Sequence, residues 1–173
     1  MTDCAVLAAP ARLFDSGLLR FIPAALREPR RPALAIGLGW ALTFFPSIAL
    51  SWASQALFPA LAKPDFAVGG LLALFLLVIF SPVIETLIMG GVLSLLLRFL
   101  PPTGAVIVSA VGWGIAHSLV APVWGLTIWW PFLIFSTLFV VWKQRGWLPA
   151  AALVACVHAL QNLLPALVLV AHR

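Results

Sequence analysis

A chain of 173 residues in which 64% are hydrophobic and only 9% are charged does not have the composition of a water-soluble domain, where about a quarter of the residues are charged. The net charge of +5 comes from basic residues scattered at predicted helix ends. This placement is typical of orientation in a bilayer and excludes the continuous basic stripe of a nucleic-acid-binding protein. We therefore expect an all-α protein that crosses a lipid bilayer several times and has no nucleic-acid partner.

The first 32 residues are predicted to form a segment separate from the transmembrane domain of residues 33–173. Residues 11–28 mix apolar and basic side chains, which predicts a helix lying in the cytoplasmic membrane interface. Gly17 and Pro23 oppose a regular helix, so a disordered leader is the alternative. The start of the chain lacks the basic region and the long apolar run of a signal peptide.

The transmembrane domain contains stretches long enough for a membrane span of about 20 residues. They cover residues 33–58, 66–98, 103–120, 123–142 and 147–171. The second stretch would form a helix about 50 Å long at ~1.5 Å per residue, and Pro82 lies in its middle. It is therefore either one kinked passage or two short segments, which predicts a bundle of five to six membrane helices.

The basic residues favour the single passage. With one passage and the N-terminus inside, the cytoplasmic side receives Arg27, Arg30, Arg31, Arg98, Lys143 and Arg145. Only Lys63 and Arg173 then lie outside, whereas two crossings would divide the charges equally between the sides. Because basic residues are enriched on the cytoplasmic side, we expect an integral protein of the bacterial inner membrane with a cytoplasmic N-terminus.

The aromatic and glycine-rich parts of the spans are predicted to be structural. The aromatic run from Trp124 to Trp142 is expected to contact lipid, with Trp142 and Trp147 as interfacial anchors. Gly90 and Gly91 favour close packing between helices.

Four polar residues inside the spans are the candidates for chemistry: Glu85, His117, His158 and Asn162. Ionisable residues in a bilayer usually face the bundle interior or a water-filled cavity. The first three lie in different spans, and His158 and Asn162 share one helix face because they are four residues apart. A carboxylate and an imidazole can activate water, and a His/Asn pair can stabilise an oxyanion. Taken singly, each histidine could instead be only a hydrogen-bond partner between helices.

Three motifs carry a resemblance to a known family: residues 81–91, 113–117 and 158–162. In order and spacing they resemble the motifs of the CPBP family of intramembrane proteases, also called the ABI or CAAX-protease-like family, over about residues 66–171. These motifs are a proline followed three residues later by EExxxRG, an aromatic residue followed four later by histidine, and HxxxN.

The resemblance implies an endopeptidase that cleaves a membrane-associated protein or peptide. It implies that Glu85 and His117 activate the water and that His158 and Asn162 stabilise the oxyanion, with no cofactor. Two positions depart from the family pattern, since Thr86 replaces its second glutamate and Gly90 its arginine. Both groups of an i,i+4 pair are therefore missing, which predicts weak activity.

Two other functions stay open from the sequence. The first is a non-catalytic member of the same family that binds peptides or gives bacteriocin immunity. The second is a zinc-dependent protease in which Glu85, His117 and His158 are the metal ligands, as in a catalytic site with an open fourth position. The absence of an HExxH helix favours the metal-free enzyme. A transporter is disfavoured by the single buried acid and the lack of an internal repeat.

Overall fold

The protein is an antiparallel bundle of apolar helices. The computed structural model describes residues 12–62, 64 and 68–171, and this part of the chain contains no β-strand. The helices are α1 (Pro32–Leu57), α2 (Gly70–Leu96), α3 (Pro102–Ser118), α4 (Pro122–Trp142) and α5 (Trp147–Ala171). All except the 17-residue α3 are long and apolar enough to cross a membrane. The predicted all-α membrane bundle is confirmed. Residues 1–11, 63, 65–67 and 172–173 lie outside the described residues, so the predicted positions of Lys63, Asp65 and Arg173 are not described.

The second apolar stretch forms one helix rather than two, as the charge distribution predicted. Residues Leu76–Phe80 are π-helical, and α-helical geometry resumes at Ser81. A π-helical turn contains one extra residue and is frequent at functional sites. Here it ends two residues before Pro82, which lacks the N–H group that a regular helix would need.

Helix α4 lies at the centre of the bundle, so the expectation that its aromatic run contacts lipid is wrong for the second half of the run, whereas Trp129 in the first half is 37% exposed. All residues from 131 to 142 are buried, and Trp142 is only 5% exposed. The helix packs against α1, α3 and α5. A helix that is apolar on all sides is stable either in lipid or inside a protein, and in this protein the other helices surround it.

The N-terminal segment does not form the predicted interfacial helix. Two short 3₁₀ helices, Leu18–Phe21 and Ala24–Leu26, are separated at Pro23, and Gly17 has a positive φ of 78°. Leu19, Ile22 and Leu26 of this segment join the core of the bundle, whereas Leu18 and Phe21 are exposed. The guanidinium group of Arg27 donates to two backbone carbonyls and to Asp15. From residue 12 onward the disordered alternative is therefore wrong as well.

A proline inside α1 is accommodated by a hydrogen bond from another helix. Pro46 has no N–H group, so it leaves the carbonyl of Leu42 without its usual donor four residues later. The indole N–H of Trp130, on α4, donates to that carbonyl at 2.7 Å. Prolines are tolerated in membrane helices when neighbouring groups satisfy the freed carbonyl.

One end of the bundle, named here the basic end, collects most of the cationic side chains. Arg145 donates to the backbone carbonyl of Pro29, and Lys143 donates to Ser94 Oγ at 3.2 Å. These contacts join the N-terminal segment, the end of α2 and the α4–α5 turn. The opposite end, named the far end, contains the last turns of α1, α3 and α5 and the first turns of α2 and α4.

Candidate active site

The three predicted ionisable residues of the spans meet at one point. The Oε2 atom of Glu85 on α2 lies 3.9 Å from Nε2 of His117 on α3 and 3.9 Å from Nε2 of His158 on α5. Both distances are too long for a direct hydrogen bond. If a water oxygen lies about 2.8 Å from two atoms that are 3.9 Å apart, the angle between the two atoms at the water oxygen is about 90°. The arrangement therefore suits one bridging water.

The contacts of His117 determine which of its nitrogens carries the proton. Nδ1 lies 2.9 Å from the backbone carbonyl of Trp113. A carbonyl oxygen only accepts, so Nδ1 is the donor, and in the neutral ring Nε2 is then an acceptor. Trp124 contacts the imidazole edge to face at 5.0 Å, and this contact helps to fix the ring. A water between Glu85 and His117 would thus meet an acceptor on each side.

His158 is held differently, by the aromatic core of α4. Its ring is 4% exposed and lies 4.6 Å from the ring of Phe135, measured between centroids. Its Nδ1 atom is buried and has no hydrogen-bond partner within the described residues. Because buried N–H groups without a partner are rare, the favoured tautomer leaves Nδ1 unprotonated. The N–H group is then at Nε2, on the side of Glu85.

Ser81 belongs to the site and was not identified from the sequence. It lies four residues before Glu85 on α2, and its hydroxyl group donates to Oε1 of that carboxylate. This hydrogen bond orients Glu85 and leaves Oε2 toward the imidazoles. The i,i+4 spacing of a hydroxyl residue and a buried acid was the signal that could have identified it.

Asn162 lines the same cavity as the other three residues, but its amide is already partly engaged. The N–H group of Ser81 donates to Leu76 in the π-helical turn, and Pro82 has no N–H group. The carbonyl of Leu77 is therefore left without a donor from its own helix. Asn162 Nδ2 donates to it at 3.0 Å. An amide has two N–H donors, so one remains for another acceptor.

The site lies at the inner end of a cavity of about 720 Å³. Of the polar side chains that line it, Ser47, Ser51 and Gln55 form a stripe along α1, named here the α1 polar stripe. They lie at i, i+4 and i+8, which places them on one helix face. The sequence contained this spacing, but uncharged residues at single positions do not stand out in an apolar helix.

Thr86 and Gly90 pack in the bundle and do not face the cavity. Thr86 is buried, and its hydroxyl group has no hydrogen-bond partner in the described residues. A Cβ atom at Gly90 would lie 2.6 Å from Phe139 and 3.1 Å from Trp147. The expectation that Gly90 is a packing residue is confirmed, whereas Gly91 faces open space. An arginine at position 90 would require both aromatic rings to move.

The described residues contain no group of three or more His, Cys, Asp and Glu side chains arranged to hold a metal ion. Two ligand atoms that each lie about 2.0–2.2 Å from a tetrahedral zinc ion are roughly 3.3–3.6 Å apart from one another. The two 3.9 Å distances are slightly wider than this, so a zinc ion would need small movements of Glu85 or of the imidazoles.

Comparisons of the chain with protein-family models, with curated proteins and with solved structures found no match. The family resemblance therefore rests on the three sequence motifs alone.

Proposed function

We propose that this chain is an intramembrane endopeptidase of the CPBP type that uses a metal-free, glutamate-activated water. One observation carries this proposal: the Oε2 atom of Glu85 is within the reach of a single water from both His117 and His158. The carboxylate is oriented by Ser81 and borders an open cavity. A carboxylate that only joined the helices would be expected to bond directly to the two imidazoles, rather than to lie 3.9 Å from each.

The first step is attack by the bridging water on the carbonyl carbon of the scissile peptide bond. The water donates one hydrogen to Glu85 and the other to Nε2 of His117, so its free lone pair can be directed at the substrate. As the new C–O bond forms, one water proton transfers to the Glu85 carboxylate. The carbonyl oxygen becomes an oxyanion, which accepts a hydrogen bond from Nε2–H of His158 and from the second N–H of Asn162.

The second step is collapse of this tetrahedral intermediate. The C–N bond breaks, and the departing nitrogen takes the proton held by Glu85. The products are a carboxylic acid and an amine, and the Glu85 carboxylate is regenerated. The peptide bond and one water molecule are the only reactants, so no oxidant, reductant or cofactor is consumed.

The proposed location is the bacterial inner membrane, with the N-terminus and the basic end in the cytoplasm. This orientation is supported by the contacts of Arg145 and Lys143, which bring basic residues from separate parts of the chain to one end. The rule that basic residues favour the cytoplasmic side then orients the bundle. The proposed substrate is a membrane-associated protein or peptide.

Non-catalytic peptide binding is the second candidate. It is favoured by Thr86 and Gly90, because no other charged pair replaces the family's glutamate and arginine at these positions. The cavity would then hold a peptide without cleaving it. A zinc-dependent protease would use the same Glu85, His117 and His158.

The experiment compares membranes from cells that produce the wild type or the Glu85→Gln variant. New N-termini and C-termini of membrane proteins are identified by mass spectrometry of terminal peptides. Cleavage products are expected with the wild type and should be absent with Glu85→Gln, His117→Ala and His158→Ala at equal protein levels. Glu28→Gln, a carboxylate in the N-terminal segment, is the matched control and should retain cleavage. Identical termini in the wild type and the Glu85→Gln variant would contradict proteolysis and favour peptide binding.

A further inference from the structure

We infer that the cavity receives its substrate from the far end, as an extended and uncharged peptide segment whose backbone is bound by the α1 polar stripe. This inference rests on the proposed function, since it names the substrate class for the same site. It goes further by assigning the side of the membrane from which the substrate arrives and the residues that position it.

The residues lining the cavity indicate the direction of access. They include Gln55, Pro64, Val168 and Leu169, which lie near or beyond the last turns of α1 and α5 at the far end. Trp52, also on the lining, is 75% exposed. In the described part of the chain, the lining contains no residue of the basic end. The cavity therefore extends from the site toward the far end.

A buried layer between the site and the basic end is consistent with this direction. Glu85 lies 11 residues from the end of α2 at the basic end, or about 17 Å of helix at ~1.5 Å per residue. His158 lies equally far from the start of α5. The intervening layer contains the buried second half of α4, which separates the site from the basic end.

The α1 polar stripe has hydrogen-bonding groups to offer. Gln55 Nε2 already donates to the carbonyl and the hydroxyl group of Ser51, and a peptide backbone could use the amide oxygen of Gln55 and the O–H group of Ser51. Ser47 is only 8% exposed, borders the cavity, and its hydroxyl group has no partner within the described residues. The buried Oε1 of Gln161, another lining residue, is also unpartnered there. A buried polar group without a partner is unfavourable because its lost hydration is not replaced, and the backbone of a bound peptide would supply the missing partners.

The length and chemistry of the cavity select the peptide. From Ser47 to Gln55 the stripe rises about 12 Å, the length of three to four residues of extended chain at ~3.3 Å each. Apart from the two histidines, Glu85 is the only ionisable residue on the described lining. A charged substrate side chain would find no counter-ion there, so the bound segment should carry small or apolar side chains.

The direction of access is tested without catalysis, by cysteine labelling in a Cys4→Ser/Cys156→Ser background. Ser51→Cys and Gln55→Cys are treated with a membrane-impermeant maleimide on intact cells and on inverted vesicles. Ala60→Cys marks the far end, and Gln144→Cys marks the basic end.

Both cavity cysteines should label from the same side as Ala60→Cys. Ser54→Cys is the matched control, because Ser54 is buried on the same helix but does not line the cavity, and it should stay unlabelled. Labelling of the cavity cysteines from the side of Gln144→Cys, or no more labelling than at position 54, would overturn the inference.

Peptide binding is tested in the full-length Glu85→Gln protein with a photoreactive probe. The probe is an N-acetylated, C-amidated decapeptide of alanine, leucine, serine and glycine with a central benzoylphenylalanine. Cross-linking should fall about five- to tenfold with Ser47→Ala or Gln55→Leu, as expected for one lost hydrogen bond to each. Ser54→Ala should leave it unchanged. Equal cross-linking in all variants, or equal binding of the same peptide with two added lysines, would contradict the inference.

The two proposals can fail separately. If the cysteines label from the far end and the probe cross-links, but Glu85→Gln does not alter the cleavage of any protein, the proposed function fails and the binding assignment stands. If cleavage depends on Glu85 but Ser51→Cys labels from the basic end, only the direction of access is wrong. If the α1 polar stripe delivered water alone, its variants would lower kcat and leave KM and cross-linking unchanged, and the assignment of peptide binding would be wrong.

Discussion

Replacing Gly90 with alanine is expected to destabilise the bundle, because the added methyl group has no room. A Cβ atom at this position would lie 2.6 and 2.7 Å from two ring carbons of Phe139. Phe139 is fully buried, and its ring packs edge to face against Trp147 with centroids 5.7 Å apart. Neither ring can therefore turn away without disturbing the other.

The expected size of the effect follows from this distance. Ordinary van der Waals contact begins near 3.4 Å, so the Phe139 ring would have to retreat by roughly 0.8 Å in a close-packed core. Such overpacking typically destabilises by about 1–3 kcal/mol. Alanine also favours the helix over glycine by about 0.5–1 kcal/mol. The net loss for Gly90→Ala should be about 0–2.5 kcal/mol.

Gly91→Ala is the matched control, because a Cβ atom at position 91 meets nothing within 4 Å. It receives the same helix-propensity gain without the crowding, and should be neutral or stabilising. The difference between the two variants thus measures the crowding alone. Free energies of unfolding are obtained from SDS titrations in mixed micelles, followed by tryptophan fluorescence.

A double-mutant cycle identifies the crowded partner. Phe139→Leu removes the two ring carbons that Gly90→Ala would meet, so the pair should show a favourable coupling of ~0.5–3 kcal/mol. Equal stabilities of the Gly90→Ala and Gly91→Ala proteins would refute the packing role of Gly90. Additive effects of Gly90→Ala and Phe139→Leu would show that another contact limits the space.

Three further predictions concern the site and the bundle. Ser81→Ala should lower kcat about tenfold, because the carboxylate of Glu85 loses a hydrogen bond of roughly 1.5 kcal/mol. KM should be unchanged, and Ser81→Thr should restore activity. A change in KM alone would argue against a positioning role. Proteolysis should survive strong chelators, and metal analysis should find no stoichiometric zinc. Loss of proteolytic activity on chelation, with recovery of that activity when zinc is added, would support the metalloprotease instead. Trp130→Phe should reduce the free energy of unfolding by about 1–3 kcal/mol. The reduction should be much smaller in a Pro46→Ala background, because the backbone N–H of residue 46 can then replace the indole as the donor to Leu42. An equal loss in both backgrounds would contradict this function of the indole.

Much of the site could be predicted from the sequence because charge and imidazole are rare in hydrocarbon. Glu85, His117 and His158 stood out against an apolar background, and the structure brings them to one point. Their proposed catalytic roles stay predictions. The i,i+4 spacing likewise placed Asn162 beside His158, but the freed carbonyl of Leu77 that takes one of its N–H groups depends on a π-helical turn that the sequence pattern did not indicate.

The apolar stretches determined by themselves which segments become helices, and the distribution of basic residues determined that the second stretch is a single passage. Hydropathy measures how strongly a side chain avoids water, and lipid and protein interior satisfy that preference equally well. The tertiary structure alone therefore decided that the aromatic second half of α4 is surrounded by other helices. The tertiary structure also decided that Leu19 and Leu26 of the N-terminal segment pack in the core of the bundle. The α1 polar stripe became a cavity wall for the same reason, since only packing determines whether a serine in an apolar helix faces lipid or a cavity.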